Sequence, residues 1–251
     1  EDKLPFSATC QTYDDSIAYD TDVYMEDAIF SDYSNSRMKE LIMNYNSVSV
    51  MILMYSAYLN GNTAAYSYPN GGNAINHAVT IVGWDDTYSK DNFAAASKVT
   101  SDGAWIVKNS YGADWGDDGY FYLSYENTPM KNLVCNTGTT TPLYTNNYFY
   151  DGASTGSFTR QLSQGDSIAG IFTASAGNGK DEELGEIVLA AKEDNIDYQI
   201  QVYTDLTDPS NPTSGTPAYE EPMNYTKEYS GIDTVTLDTP VTLKAGSRYS
   251  V

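Results

Sequence analysis

The sequence predicts a β-rich α+β protein, in which a barrel-like β unit with one short helix precedes a β-sandwich. Apolar and polar residues alternate in two blocks, Asn76–Trp84 and Trp105–Lys108, as they do in half-buried strands. One stripe between Arg37 and Tyr45 has helical spacing. From residue 143 onward, short alternating runs are separated by Gly, Asn and Asp at intervals that are typical of a sandwich.

The first regular element is a short amphipathic helix over Arg37–Tyr45. Its apolar residues lie at positions i, i+3, i+4 and i+7, and Ser34 or Ser36 can cap its amino end. A buried strand, Val48–Met54, follows. Residues 60–73 are rich in Asn, Gly and Pro, so we expect turns that lead the chain to its only histidine, His77.

His77 and Asn109 each lie at one end of a predicted strand. If the two strands are neighbours, the two side chains can form a hydrogen bond. An Asn carbonyl that accepts from an imidazole N–H fixes the tautomer and orientation of the ring, which is what a base serving a nucleophile requires. Residues 85–103 are predicted to form a polar surface hairpin or loop, and Gly119–Tyr125 is predicted to form a further strand.

The second unit begins after residues 136–142, a small, polar and uncharged run that is typical of a linker. We therefore place domains at 1–135 and 143–251. Because the chain stops at Gly246–Val251 within a strand pattern, we expect the sandwich to be incomplete as given. The predicted strands are Tyr144–Tyr150, Ser157–Leu162, Ser167–Ala174, Gly185–Ala191, Tyr198–Thr204, Thr234–Leu237 and Val241–Leu243.

Composition excludes several classes of function. The net charge of the 251 residues is −21 and is spread evenly, so neither nucleic acid nor an anionic membrane is an expected partner. No apolar run has the length of a membrane span. Two cysteines allow at most one internal disulfide, and a single histidine excludes a His-rich metal site. Abundant Tyr, Asn, Ser, Thr and Gly favour a secreted protein.

The string Asn-Ser-aromatic-Gly-x-x-Trp-Gly-x-x-Gly-Tyr that begins at Asn109, together with the block around His77, resembles the carboxyl-terminal half of papain-family cysteine peptidases. The resemblance covers roughly residues 1–127. It implies that His77 is the general base and acid and that Asn109 orients it. Tyr111 stands where the family usually has a Trp that covers the His–Asn hydrogen bond, and Trp115 matches the later Trp of the motif.

The same resemblance implies a substrate pocket and shows one departure. Met51, Ile75 and Ala78 would line the pocket for the second side chain before the scissile bond, although core packing explains these residues equally well. The family's Cys lies about 130–150 residues before its His, whereas Cys10 lies only 67 residues before His77 and lacks the surrounding motif. We therefore expect an amino-terminal half, outside this sequence, to supply the nucleophile and the oxyanion Gln.

The segment Val202–Pro217 resembles the lectin-like β-sandwich that follows the papain-like domain in clostridial cell-surface cysteine proteases. This resemblance implies a secreted or cell-surface location and a glycan or cell-wall polymer as a second partner beside a protein or peptide substrate. No cofactor is required by this chemistry. Calcium is a candidate ligand, because loop aspartates can supply hard oxygen ligands: Asp151, Asp166, Asp205 and Asp208.

Three functions follow from these residues. The first is a cysteine endopeptidase that works through an acyl-thioester. The second is a non-catalytic surface adhesin or carbohydrate-binding protein with a peptidase-like shell, which the missing Cys favours and the retained His77 and Asn109 disfavour. The third, a hydrolase with Ser110 as nucleophile, is weaker because Ser110 follows Asn109 directly and would point to the opposite face.

Overall fold

The computed structural model describes residues 23–141, 144–150, 163–177 and 179–251. The chain divides into two compact units, Glu1–Thr141 and Pro142–Val251. Cys10, Asp151 and the predicted strand Ser157–Leu162 lie outside the described residues.

The described part of the first unit contains eight strands and one α-helix. The helix is α1 (Asn35–Tyr45). The strands are β1 (Tyr24–Ser31), β2 (Val48–Ile52), β3 (Leu59–Asn60), β4 (Ala65–Tyr66), β5 (His77–Asp85), β6 (Ala104–Lys108), β7 (Tyr120–Ser124) and β8 (Met130–Thr139). They neighbour one another in the order β1-β8-β2-β5-β6-β7-β4-β3, antiparallel except for the pair β4 and β7. The strands of these residues form no closed barrel.

Helix α1 confirms the predicted amphipathic stripe. The Ser34 hydroxyl accepts a hydrogen bond from the Arg37 backbone N–H, and Asn46 ends the helix in the left-handed conformation at φ 67°. Its buried residues Met38, Leu41 and Ile42 face strands β2, β5 and β8. The helix therefore covers one face of the strands that carry the His77 region.

Alternation along β2 and β5 places one set of side chains in the core. Val50 lies opposite Val79, and Val48 lies opposite Ile81; all four are buried. Ser49, Met51, Ala78 and Thr80 lie on the other face, which is more exposed. After Asp85, which ends β5, residues 86–103 contain only two short 3₁₀ helices as regular structure, so the loop alternative for this segment is correct.

The structure differs from the sequence-based expectation at two places in the first unit. Strand β8 continues to Thr139, through residues 136–139 that were predicted to open a linker, because Asn136 and Thr137 pair with β1. The Thr137 hydroxyl also accepts from the Asp27 backbone N–H at 3.1 Å and donates to the Asp27 carboxylate at 3.0 Å. Strand β1 itself was missed, since a bulge between Met25 and Asp27 interrupts its alternation.

The described part of the second unit is all β. Its strands are β9 (Ile171–Thr173), β10 (Glu182–Ala191), β11 (Ile196–Ile200), β12 (Tyr203–Thr204), β13 (Thr216–Pro217), β14 (Met223–Lys227), β15 (Gly231–Leu243) and β16 (Arg248–Ser250). Strand β10 pairs with β15, β11 pairs with β14, and β9, β12, β13 and β16 form a four-stranded sheet. Its core includes Val202, Val235, Leu237, Leu243 and Tyr249.

The predicted strands of this unit are confirmed in part. Gly185–Ala191 lies within β10, and Ser167–Ala174 contains only β9. Tyr198–Thr204 is divided between β11 and β12, whereas the last two predicted strands merge into β15. Residues 144–150 form no strand, so that prediction is wrong: aromatic content alone does not supply a ladder partner.

Candidate functional site

His77 and Asn109 meet at one end of an antiparallel strand pair. His77 is the first residue of β5, and Asn109 follows the last residue of β6. Because the two strands run in opposite directions, the start of one lies beside the end of the other. The His77 Nε2 atom lies 2.9 Å from the Asn109 Oδ1 atom, which is a hydrogen bond between the side chains.

The hydrogen bonds of Asn109 determine which ring nitrogen of His77 has a free lone pair and can act as a base. Asn109 is buried, and its Oδ1 also accepts the Ser110 backbone N–H at 2.8 Å. An amide oxygen can only accept, so the His77 Nε2 atom carries the proton of this bond. The Nδ1 atom of the neutral ring then holds the free lone pair. This is the arrangement of a base whose orientation is fixed through its other nitrogen.

Aromatic side chains cover the histidine. The Tyr111 ring stacks on the His77 ring, with centroids 5.0 Å apart and planes at 29°. Trp115 contacts Tyr111 edge-on at 5.5 Å and contacts the buried Phe121 edge-on at 5.7 Å. Tyr111 is still 40% exposed, so it lies between the imidazole and solvent. The series links the site to the core through Phe121.

Glycines let the segment after Asn109 fold back on itself. Gly112, Gly116 and Gly119 have φ angles of 88°, 67° and 88°, in the left-handed region. A Cβ atom on Gly116 would overlap the Tyr120 carbonyl oxygen. The Asn109 backbone N–H donates to the Gly119 carbonyl at 3.0 Å and closes the loop. The spaced glycines of the motif are therefore required for the position of Asn109.

Asn76 is a site residue whose geometry was not predicted. Its Oδ1 atom accepts the Met54 backbone N–H at 2.8 Å, and its Nδ2 atom donates to the Met54 carbonyl at 3.0 Å. Its own backbone N–H donates to the Ile52 carbonyl at 3.0 Å. These three bonds tie the segment after β2 to the residue that precedes His77. An aspartate could not donate the bond to the Met54 carbonyl.

The residues predicted to line a substrate pocket are only partly brought together. Met51 on β2 lies directly opposite Ala78 on β5, so both point to the same face of the sheet. Met51 is half-buried and Ala78 is exposed. Asn132 donates a hydrogen bond to the Met51 sulfur at 3.3 Å. Ile75 is half-buried, two residues before His77.

The thiol of Cys135 is not suited to be the nucleophile. Cys135 lies within β8, opposite Ile29 of β1, and its side chain is buried. Burial raises the pKa of this thiol to about 11, so the reactive thiolate is a minor species at neutral pH. Cys135 is therefore a core residue.

The loop aspartates proposed for calcium take part in separate local hydrogen bonds. Asp166 accepts from the Ser163 backbone, Asp208 accepts from the backbone and hydroxyl of Ser210, and Asp205 pairs with Lys244. Within the part of the chain that the structure describes, no group of three or more His, Cys, Asp or Glu is arranged to hold a metal ion. Calcium binding stays a prediction.

A model of the papain family of cysteine proteases matches residues 1–142, more than half of the chain. The chain belongs to this family. A second model, of a lectin-like domain, matches residues 148–251. The family resemblance and the order of the two domains, both predicted from the sequence, are confirmed.

Curated cysteine proteinases match part of the chain. Bovine cathepsin S is 32% identical over 92 residues, which are 36% of this chain and 24% of the relative. Cysteine proteinase 1 of Dictyostelium discoideum is 41% identical over 58 residues, which are 23% of this chain and 15% of the relative. The chain thus spans a quarter or less of the length of these two proteins.

Solved structures share both units. The cysteine protease and lectin-like domains of Cwp84, a surface-layer associated protein of Clostridium difficile, give a TM-score of 0.69 at 25% identity. That match covers 92% of this chain and 49% of the other. A point variant of Cwp84 after propeptide cleavage gives a TM-score of 0.57 at 24% identity, over 91% and 54% of the two chains. Among the described residues, no helix has the length and apolarity that a membrane crossing requires.

Proposed function

We propose that this chain carries the histidine–asparagine half of a cysteine endopeptidase, in which Cys and oxyanion Gln come from an amino-terminal half outside this sequence. The observation that carries the proposal is the His77–Asn109 hydrogen bond, which fixes the ring through Nε2 and leaves Nδ1 to face a nucleophile. Membership of a cysteine-protease family supports the same chemistry. A protein or peptide is the proposed substrate.

In the proposed reaction, the Nδ1 atom of His77 takes the proton of the cysteine thiol. The thiolate attacks the scissile carbonyl, and the imidazolium returns the proton to the leaving amine as the acyl-thioester forms. Water, activated by the same Nδ1 atom, then releases the acyl group. Throughout both steps the Asn109 carbonyl holds the ring, while Tyr111 keeps water from the bond between them.

We further propose a cell-surface location and a glycan or cell-wall polymer as the ligand of the second unit. Support comes from the lectin-like match and from Cwp84, which is described as surface-layer associated. Met51, Ile75 and Ala78 are proposed to contact the substrate, and the opposed positions of Met51 and Ala78 support this.

Labelling with a peptidyl epoxide tests the peptidase proposal. The protein is purified from its native source, labelled, and analysed by intact mass and peptide mapping. Label on a cysteine of an upstream segment, lost in a His77→Ala variant, is the expected result. Label on Cys10 would overturn the assignment of the nucleophile. No label on any cysteine would favour the second candidate, a non-catalytic adhesin, which is consistent with the inert Cys135.

A further inference from the structure

Two charged residues occupy inward positions in the second unit. In β14, Met223, Tyr225 and Lys227 alternate with the exposed residues Asn224 and Thr226. In β15, Asp233 precedes the buried Val235 and Leu237 on the same face of the strand. A three-residue connection, 228–230, joins the two strands, which pair with different partners, β11 and β10. An apolar residue is expected at each of these inward positions.

The buried Lys227 side chain has too few hydrogen-bond acceptors for the three N–H donors of its protonated form. The Lys227 side chain is 0% exposed and that of Asp233 is 17% exposed. The Lys227 Nζ atom contacts Asp233 Oδ1, which is its one hydrogen-bond acceptor among the described residues. A protonated amine has three N–H donors, and burial of unsatisfied donors on a charged group is strongly unfavourable. A neutral amide in place of the two charged groups would remove this cost.

A third group acts on the carboxyl. The Tyr225 hydroxyl donates a hydrogen bond to Asp233 Oδ2 at 2.6 Å. This bond draws electron density from the carboxyl carbon, while the amine contacts the other carboxyl oxygen. The two reacting groups are held in contact by the folded chain, which removes the entropic cost of bringing them together.

We propose that Lys227 and Asp233 are joined by an amide bond that forms after the unit has folded. The neutral Nζ amine attacks the protonated carboxyl at Cγ, and the C–Oδ1 bond breaks. Oδ1 leaves as water with one proton from the carboxyl and one from the amine. In the product, Oδ2 is the amide carbonyl oxygen and still accepts the hydrogen bond from the Tyr225 hydroxyl. Nζ is the amide nitrogen and carries one N–H. No oxidant, reductant or co-reactant takes part.

The bond replaces a buried ion pair by a neutral group with a single donor. It joins β14 covalently to β15, and these strands pair with β11 and β10, respectively. The bond and the connection 228–230 together form a short covalent loop. Because the closed loop is short, its effect on the entropy of the unfolded chain is small. The direct readout is therefore the mass of the protein.

Intact mass and a tryptic map of the whole chain test the proposal. We expect a loss of about 18 Da, located in a peptide spanning residues 193–244, because the amide blocks trypsin at Lys227. The map is required because cyclisation of Glu1 also releases water. Hydroxylamine opens a succinimide but leaves this amide intact. Cleavage of the unmodified protein at Lys227, with peptides of full mass, would overturn the proposal.

Four variants complete the experiment. The Lys227→Arg and Asp233→Ala variants are expected to have the mass calculated from their sequences, without loss of water. Asp233→Asn is expected to form the same bond with loss of ammonia, about 17 Da, which identifies the leaving group. Lys244→Arg is the matched control: Lys244 pairs with Asp205 in an exposed ion pair, and the loss of water should persist. These outcomes are independent of the peptidase proposal, since they require no enzymatic activity.

Discussion

The His77 Nε2 atom and the Asn109 Oδ1 atom are 2.9 Å apart, although the two residues are 32 positions apart in the sequence. They meet because each lies at an end of one of two neighbouring strands. The Ser110 backbone N–H donates to the same oxygen at 2.8 Å, so the amide cannot turn without losing a second bond. The strand pair and the glycine loop after Asn109 thus fix the free nitrogen of the ring before any nucleophile is present.

Replacing Asn109 by Ala should lower kcat more than it changes KM in the proposed complete enzyme, which would include the Cys-bearing half. Loss of one orienting hydrogen bond predicts roughly a tenfold decrease in kcat. Steady-state kinetics on a peptide substrate measure it. Asn136→Ala, on an exposed asparagine of β8, is the control and should leave kcat unchanged.

A double-mutant cycle separates orientation from other effects of Asn109. In a His77→Ala background the same Asn109→Ala change should cost nothing further, because there is no ring left to orient. An equal loss in that background would show that Asn109 does not act through His77.

Replacing Tyr111 by Ala should expose the His77–Asn109 bond to water and lower kcat/KM by about threefold to tenfold, the value of one aromatic contact. Tyr111→Trp should retain activity, since the larger ring can stack in the same way. Tyr24→Ala removes an equally exposed tyrosine, at 38% against 40%, and should have no effect. Full activity in Tyr111→Ala would show that the stacking is not needed.

Gly116→Ala should destabilise the first unit by about 1–3 kcal/mol, because the residue has φ 67° and a Cβ would overlap the Tyr120 carbonyl. Gly61→Ala is the control: its Cβ meets nothing within 4 Å, so stability should change by less than about 1 kcal/mol. Chemical denaturation monitored by tryptophan fluorescence compares the two. Equal midpoints would contradict the structural role of Gly116.

Cys135 should resist alkylation in the native protein at neutral pH. Burial raises its pKa to about 11, so at pH 8 only about one thiol in a thousand is ionised. Reaction with iodoacetamide should accelerate as pH rises toward that value and should be rapid at pH 8 in denaturant. Peptide mapping separates Cys135 from Cys10. Fast labelling of native Cys135 at pH 8 would place its thiol outside the core.

The elements that position the candidate site could be predicted because their signals are local. Helix α1 follows from the spacing of Met38, Leu41 and Ile42, and strand β5 follows from the alternation around Val79 and Ile81. The spaced glycines and aromatics after Asn109 carry the family resemblance.

The features that were missed depend on contacts between distant residues. Strand β1 is recognisable only through its pairing with β8, and the bonds of Asn76 to Met54 depend on where β2 ends. Lys227 is buried and contacts Asp233 of the next strand, and a lysine in a polar run gives no sign of this in the sequence.

The most direct test of the account uses the fact that His77 is the only histidine of the chain. A long-range ¹H–¹⁵N correlation spectrum of the imidazole, recorded where the ring is neutral, reports which nitrogen carries the proton without any need for assignment. We predict a protonated Nε2 and an unprotonated Nδ1, with a mixture of tautomers in Asn109→Ala. A protonated Nδ1 in the unmodified protein would contradict the account, because no lone pair would then be left to face a nucleophile.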